Sequence, residues 1–274
     1  MNHASPDILG LNLLDREHNE GTVMKIVVIG GTGLIGSKVV SKLTEHGHEA
    51  VAAAPSTGVN TLTGQGLAEV LKGAQVIADV SNSPSFEERP VMDFFKTSTN
   101  NLLKYGVAAG VRHLAALSVV GTDRLSESPY FRAKIVQEKL IKESRLPYSI
   151  IHATQFFEFV KGIADFSTQR NQVHLAPVLI QPMASDDVAK AVARISVGTP
   201  VNGRVEVAGP EKFRLDELIR RCLSALGDLR EVVADPNALY SGARLSERTL
   251  VPEGDAELGE IRFEDWIAQG HLKK

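Results

Sequence analysis

The sequence predicts an α/β fold built on a doubly wound parallel sheet, and three observations lead to that expectation. Short apolar segments rich in β-branched residues alternate with segments of helical periodicity from residue 25 to residue 152. The connections between these segments are short, and a glycine-rich turn joins the first strand to the first helix. Such alternation calls for right-handed crossovers, which cover both faces of a parallel sheet with helices.

The predicted elements follow one another regularly through the first half of the chain. Strands are expected at residues 25–29, 49–54, 75–80, 111–119 and 148–152, and helices at 34–43, 65–71, 91–109 and 130–144. Beyond Phe157 strands and helices alternate less regularly. The expected elements there are a helix capped by Ser185, a strand at 204–208, a helix from Leu215 and a closing segment with Trp266. We predict a flexible tail (1–23), a sheet core (24–159) and a smaller C-terminal region (160–274) that completes the same domain on the substrate side.

Composition narrows the class of protein. The 274 residues are 43% hydrophobic with a formal net charge of −3, and no apolar run is long enough to span a bilayer. We therefore expect a cytoplasmic protein with a small-molecule ligand and neither a nucleic-acid nor a membrane partner. The single cysteine, Cys222, is expected to be a core thiol, and the histidines show no metal-ligand spacing. Monomer and dimer both stay open.

The turn after the first strand has the spacing of a phosphate-binding loop. Gly30, Gly33 and Gly36 follow an apolar strand and open an amphipathic helix. Glycines there allow a tight bend, a close approach of phosphate to backbone N–H groups, and packing of the helix on the strand. The pattern predicts a dinucleotide cofactor bound by a loop whose contributing residues are Gly30, Thr32, Gly33, Leu34, Ile35 and Gly36.

The end of the second strand bears on the choice between NAD and NADP. A carboxylate at this place binds the adenosine ribose and favours NAD, but the chain has Ala54 to Gly58 there without an acid. Ser56 and Thr57 offer hydroxyl donors to a 2′-phosphate, so NADP(H) is favoured over NAD(H), although no arginine is present. Ser81 and Asn82 follow the third strand and are expected near the adenosine, with a plain turn as the alternative.

Three further side chains suggest acid–base chemistry. Tyr130 and Lys134 are four residues apart on a predicted helix, so both project from one face. An ammonium near a phenol lowers the pKa of the phenol towards the working pH. Ser118 ends the fourth strand, at the sheet edge where the glycine loop also lies, so its hydroxyl is expected to orient a substrate carbonyl that Tyr130 protonates.

These features together resemble the short-chain dehydrogenase/reductase superfamily and specifically its atypical, NmrA-like branch. The matching segments are 30–36, 99–103, the strand ending at Ser118, 130–134, 147–151 and 155–157. The resemblance implies a Rossmann fold and hydride transfer between a nicotinamide and a carbonyl or alcohol. It implies that Tyr130 is the acid/base, that Lys134 binds the nicotinamide ribose and that Ser118 orients the substrate oxygen. It also implies that Gln155 and Phe156 lie beside the nicotinamide. The relay asparagine of many catalytic relatives would align near Phe95, so it is absent.

Other features allow more than one interpretation. The phenylalanines at 156, 157 and 159 either line a slot for a flat substrate or belong to the core. His152 is expected to be buried and hydrogen-bonded, and Gln137, Glu138 and Lys142 to form a solvated helix face.

Three functions follow from these features. The first is an NAD(P)H-dependent oxidoreductase. The second is a non-catalytic protein that senses the dinucleotide and regulates a partner. The third is a tailoring enzyme that uses the bound cofactor for oxygenation or isomerisation.

Overall fold

The computed structural model describes residues 23–270 and 272, so nearly all of the predicted N-terminal tail lies outside the described residues. A seven-stranded parallel sheet with helices on both faces confirms the predicted fold class. The strands are β1 (Lys25–Ile29), β2 (Glu49–Ala53), β3 (Val76–Asp79), β4 (His113–Val119), β5 (Tyr148–Ala153), β6 (Thr168–Gln169), β7 (Gln172–Leu175), β8 (Leu179–Ile180), β9 (Gly203–Ala208), β10 (Phe213–Arg214), β11 (Glu231–Ala234) and β12 (Glu257–Leu258). The α-helices are α1 (Leu34–Glu45), α2 (Leu67–Val70), α3 (Glu88–Ala109), α4 (Pro129–Lys142), α5 (Val160–Phe166), α6 (Ser185–Val197), α7 (Leu215–Leu226) and α8 (Phe263–Ala268).

The order of strands creates a crevice at one point of the main sheet. The order is β12-β9-β5-β4-β3-β1-β2, and every neighbouring pair is parallel. The chain passes from β1 to β2 on one side and then returns to β3 on the other. Connections leave in opposite directions at such a switch point, which opens a crevice outside the carboxyl ends of β1 and β3.

Alternation along the strands separates two cores. In β1, Ile26 and Val28 pack towards α1 and α6, whereas Val27 and Ile29 pack with apolar residues of α2, α3 and α4. Because both faces of the sheet are covered, β1 is apolar on both faces from Ile26 to Ile29 instead of alternating with polar residues.

A third core lies at the C-terminal end of the molecule. Residues of α5, α7 and α8 enclose the rings of Phe157, Phe263 and Trp266, and Cys222 is buried among them, as expected. Leu125 and Phe131, from the connection between β4 and α4 and from α4 itself, belong to the same cluster. The C-terminal region therefore packs against the beginning of α4.

The sequence located the long elements well and missed the short ones. Ser185 is the first residue of α6 instead of its cap, and both its backbone N–H and its hydroxyl donate to the Glu158 carboxylate. The strands β6, β8, β10 and β12 have two residues each, too short for any periodicity to register. Among the described residues, no helix combines the length and apolarity needed to cross a membrane.

Helix α1 approaches the end of β1 more closely than any side chain would permit. A Cβ atom built on Gly36 would lie 2.1 Å from the carbonyl oxygen of Gly30. Gly30 itself has a φ of +77°, in the left-handed region that favours glycine. Both glycines are therefore required by the turn that carries the chain from β1 into α1.

We expect Gly36→Ala to lower the free energy of unfolding by about 3 kcal/mol or more, because the new methyl group forces the helix away from the strand. Gly162→Ala is the matched control, since a Cβ there meets nothing within 4 Å in α5. That change should stabilise the protein by roughly 0.5–1 kcal/mol. Urea denaturation measures both, and equal effects of the two substitutions would contradict the close approach.

Candidate functional site

The glycine loop presents an open helix N-terminus. The N–H groups of Gly30 and Gly31 donate to the carbonyl of Ala53, and that of Gly33 donates to Gly30, so the turn is fixed by its own backbone. The first turn of α1 contains no acidic residue. Its leading N–H groups have no carbonyl within the helix to bind, and the helix dipole favours negative charge there. Because Thr32, Gly33 and Leu34 are exposed, the loop suits a phosphate group.

The turn after β2 uses one of its two hydroxyls internally. The Thr57 hydroxyl accepts from the N–H of Ala54 and lies 3.0 Å from the Ala54 carbonyl, to which it donates. Thr57 is thus not a free donor, contrary to expectation, because its side chain closes its own turn. The Ser56 hydroxyl instead faces the Thr32 hydroxyl at 3.4 Å, across the mouth of the glycine loop.

The residues after β3 lie close to both the loop and Tyr130. The backbone of Ser81 would be 3.0 Å from a Cβ on Gly30, and the Ser81 hydroxyl donates to Asp79 at 2.6 Å. Asn82 accepts a hydrogen bond from the Tyr130 hydroxyl at 3.3 Å. Burial raises the pKa of Asp79, although hydrogen bonds from Ser81 oppose the rise.

Tyr130 lies in the first turn of α4 among aromatic rings. Its ring centroid is 5.5 Å from that of Phe86 and 5.9 Å from that of Phe95. Burial raises its pKa, and the nearby phenol of Tyr240 adds to the rise. The expected lowering of this pKa by Lys134 is wrong for the structure, because the ammonium is directed elsewhere. The phenol stays protonated at neutral pH.

Lys134 is buried and held by three contacts. Its ammonium donates to the carbonyl of Leu117 at 2.8 Å and to the Gln137 side chain, and it lies 4.6 Å from the centroid of Phe95. Burial lowers its pKa to about 8, while the charges of Asp79 and Glu138 act in the opposite direction. The aromatic ring thus packs against the lysine at the position where the resemblance expected an asparagine.

The helix face expected to be solvated is largely buried. Gln137 donates to Asp79 at 3.1 Å, and Glu138 accepts from both Ser118 and His152 at 2.7 Å. Of the three residues assigned to this face, Lys142 alone has a half-exposed side chain, and it donates to Glu138. A sequence pattern records polarity but not hydrogen-bonding partners, so a buried polar face of this kind looks like a solvated one.

Ser118 is not directed at the Tyr130 hydroxyl. Side chains alternate along β4, and the parity of Ser118 is that of Leu114 and Ala116, which face the layer of α3 and α4. Its hydroxyl therefore meets Glu138, eight residues or about 12 Å of helix beyond Tyr130. Burial raises the pKa of Glu138, but the hydrogen bonds and charge of His152, with further bonds from Ser118 and Lys142, hold it at about 2.

The chain after β5 carries a polar group without a partner. Both the carboxamide nitrogen and the oxygen of Gln155 are buried and make no hydrogen bond of good geometry, although the side chain lies beside the Tyr240 hydroxyl. Buried amides are nearly always paired, so this one points to a ligand. Of the three phenylalanines that follow, Phe157 belongs to the core, whereas Phe156 and Phe159 stack at 5.3 Å with Phe159 half exposed.

The site thus combines predicted residues with others that sequence reasoning missed. The structure brings Tyr130, Asn82 and the glycine loop together at the carboxyl edge of the sheet. Asp79 and Gln137 were missed as the partners that orient Lys134, although an acid at the end of a buried strand was a visible signal. Tyr240 was also missed, because it lies in the C-terminal region, where the sequence contains no motif that we could recognise.

Comparison with curated proteins finds two related sequences. The chain is 25% identical to the photosystem II assembly factor Ycf39 of Cyanophora paradoxa over 239 residues, covering 81% of this chain and 74% of that protein. It is 21% identical to Ycf39 of Synechocystis sp. over 265 residues, covering 90% and 81%. No family model matches the chain.

Comparison with solved structures finds the same fold in several nucleotide-sugar enzymes. A double mutant of DesIV, a dTDP-glucose 4,6-dehydratase from Streptomyces venezuelae crystallised with NAD bound, gives a TM-score of 0.69 at 18% identity, and the match covers 91% of this chain and 96% of that one. The dTDP-4-dehydrorhamnose reductase of Bacillus anthracis, in complex with NADP, gives 0.64 at 13% identity, with 82% and 89% covered. The UDP-glucose 4-epimerase of Thermotoga maritima gives 0.63 at 17%, with 81% and 88% covered. At these identities the likeness establishes the fold.

The lowered pKa of Lys134 makes stability depend on pH. Below about pH 8 the folded protein keeps the buried Lys134 ammonium charged, which lowers its free energy of unfolding. Between about pH 8 and 10.4 the folded state releases this proton while the unfolded chain keeps it. The unfolding free energy of the wild type should therefore rise relative to Lys134→Met by roughly 1.4 kcal/mol per pH unit in this window.

Lys139→Met, on the exposed side of the same helix, is the control. Urea denaturation at several pH values should give a constant difference between the wild type and that variant. A constant difference for Lys134→Met as well would show that the ammonium is solvated.

The unpartnered amide of Gln155 makes a second prediction. Replacing it with leucine removes buried polar atoms that lack hydrogen bonds, so Gln155→Leu should raise the free energy of unfolding by about 1–3 kcal/mol. Gln137→Leu is the matched control, because that amide bonds both Lys134 and Asp79 and its loss should destabilise the protein. Thermal unfolding without ligand distinguishes them, and destabilisation by both changes would mean that Gln155 has a structural partner.

Proposed function

The chain has the Rossmann fold of the short-chain dehydrogenase/reductase superfamily and resembles its NmrA-like branch, and on that premise we propose that it is an NADPH-dependent reductase of small organic carbonyl compounds. The observation that carries the proposal is a half-buried, protonated Tyr130 with the buried Lys134 one helical turn away, at the sheet edge where the glycine loop opens.

The residues around the crevice fit a nicotinamide dinucleotide. The open N-terminus of α1 suits the pyrophosphate, and Gly36 keeps side chains out of its approach. The unpaired carboxamide of Gln155 offers both a donor and an acceptor to the nicotinamide amide. Ser56, beside Thr32 and without an acid nearby in the turn, supports NADP over NAD.

Tyr130 is suited to act as an acid. When bound, the reduced cofactor supplies a hydride to the carbonyl carbon. Tyr130 donates its phenolic proton to the carbonyl oxygen, which yields the alcohol. Burial raises the pKa of Tyr130, so the phenol carries its proton at neutral pH, which is the form that a general acid needs. Lys134 uses two of its three N–H bonds on Leu117 and Gln137, which leaves one for a ribose hydroxyl.

The proposal is tested first by cofactor binding and then by turnover. NADPH should raise the thermal midpoint of the protein more than NADH does at equal concentration, because a ligand that binds the folded state stabilises it. In a screen of carbonyl compounds, Tyr130→Phe should lower turnover by about 10²–10⁴-fold, the usual contribution of a general acid. Tyr148→Phe, at the start of β5, should leave turnover intact. Full activity in Tyr130→Phe would sink this mechanism.

A second candidate is a dinucleotide-binding protein that acts on a protein partner without catalysis. Two observations favour it: both curated relatives are named assembly factors, and the Ser118 hydroxyl is bound to Glu138. This alternative predicts that NADPH binds while no carbonyl in the screen oxidises it, for the wild type and Tyr130→Phe alike.

A further inference from the structure

Tyr240 is held on a rigid turn. Its backbone N–H donates to the carbonyl of Ala243 at 2.8 Å, and the N–H of Ala243 donates back at 3.0 Å. Between them Ser241 and Gly242 have φ values of 50° and 86°. A turn closed at both ends fixes the backbone from which the tyrosine side chain projects.

This turn docks on the start of α4. The N–H of Arg244 donates to the Glu127 carboxylate at 3.0 Å, three residues before Tyr130. Tyr130 and Tyr240 pack against the same apolar cluster, which includes Leu125 and Ala243. Burial raises the pKa of Tyr240 to about 12, and this phenol in turn raises that of Tyr130, as expected for two neighbouring phenols.

Gln155 borders the same space. Burial dominates the pKa of Tyr240, and the Gln155 side chain is near enough to offset part of the rise. No hydrogen bond of good geometry reaches the Gln155 amide, and the Tyr130 hydroxyl donates to Asn82, in the segment that follows β3. Polar groups from α4, from the segments after β3 and β5 and from the C-terminal region therefore lie close to one another.

Exposed apolar side chains lie beside these polar groups or next to them in the chain. Phe86 is 57% exposed against the ring of Tyr130, Phe159 is 50% exposed beside Phe156, and Leu239 is 54% exposed next to Tyr240 in the chain. Large apolar side chains left exposed around converging polar groups indicate a ligand with an apolar body and a polar head.

We propose that Tyr240 is a substrate-binding residue whose hydroxyl donates a hydrogen bond to the carbonyl oxygen that Tyr130 protonates, and that the substrate is an uncharged aryl carbonyl compound. The inference rests on the proposed function. Tyr240 thereby orients the substrate carbonyl, the role that the sequence predicted for Ser118. The side chains of Phe86, Phe159 and Leu239 receive the aromatic body.

The chain has four tyrosines, which makes the test direct. Protein labelled with ¹³C at tyrosine Cζ gives four NMR signals, each assigned by a Tyr→Phe substitution. With NADP⁺ saturating, acetophenone should shift the signals of Tyr130 and Tyr240 with one common Kd and leave those of Tyr105 and Tyr148 in place. Tyr240→Phe should weaken acetophenone binding, followed at Tyr130, by about tenfold, the effect of one hydrogen bond. Tyr148→Phe should not, and neither variant should change the affinity for NADP⁺.

Two results would overturn the inference: acetophenone shifting Tyr130 without Tyr240, or shifting neither. A response of both signals to UDP-glucose but not to acetophenone would overturn the choice of an aryl carbonyl. Failure of the proposed function is a separate result, namely carbonyl compounds that bind but are never reduced by NADPH, and the NMR shifts are read in either case.

Discussion

The contact between Gly36 and Gly30 is the constraint on which the rest of the site depends. Because α1 begins against the end of β1, its first N–H groups stay open at the switch point of the sheet. The same approach leaves α1 lying against α6 on one face, with the ion pair of Lys38 and Asp186 at its edge. A side chain at Gly36 would clash with the Gly30 carbonyl and force the helix away from the strand.

Helix α4 shows how the molecule combines stability with chemistry. One face of this helix buries Lys134, Gln137 and Glu138 and ties them to the ends of β3, β4 and β5. Removing an ammonium from water is costly unless its donors find acceptors, and here a carbonyl and an amide oxygen supply them. The Gln155 amide has no such compensation in the structure. Groups of this kind, which weaken the folded state, concentrate where ligands bind.

The comparisons separate the fold from the function. One fold serves a dehydratase, a reductase and an epimerase among the solved structures, while the related sequences are named assembly factors. A shared sheet fixes the edge at which a ligand lies but not the reaction, because the reaction depends on a few side chains at that edge. In this chain the side chains that we propose for that role are Tyr130, Gln155 and Tyr240, whereas Ser118 is directed away from them.

The sequence by itself determined the sheet, its principal helices and the glycine loop, because these follow from local periodicity and from the backbone requirements of glycine. The N-terminal half of α4 was equally predictable, since a spacing of four residues places Tyr130 and Lys134 on one helix face. What tertiary structure decided was where polar side chains find partners. Strand parity turned Ser118 towards Glu138, burial raised the pKa of Tyr130 that proximity to lysine was expected to lower, and chain folding brought Tyr240 to the site from a hundred residues away. Such pairings depend on distances between residues far apart in the chain, which no local pattern records.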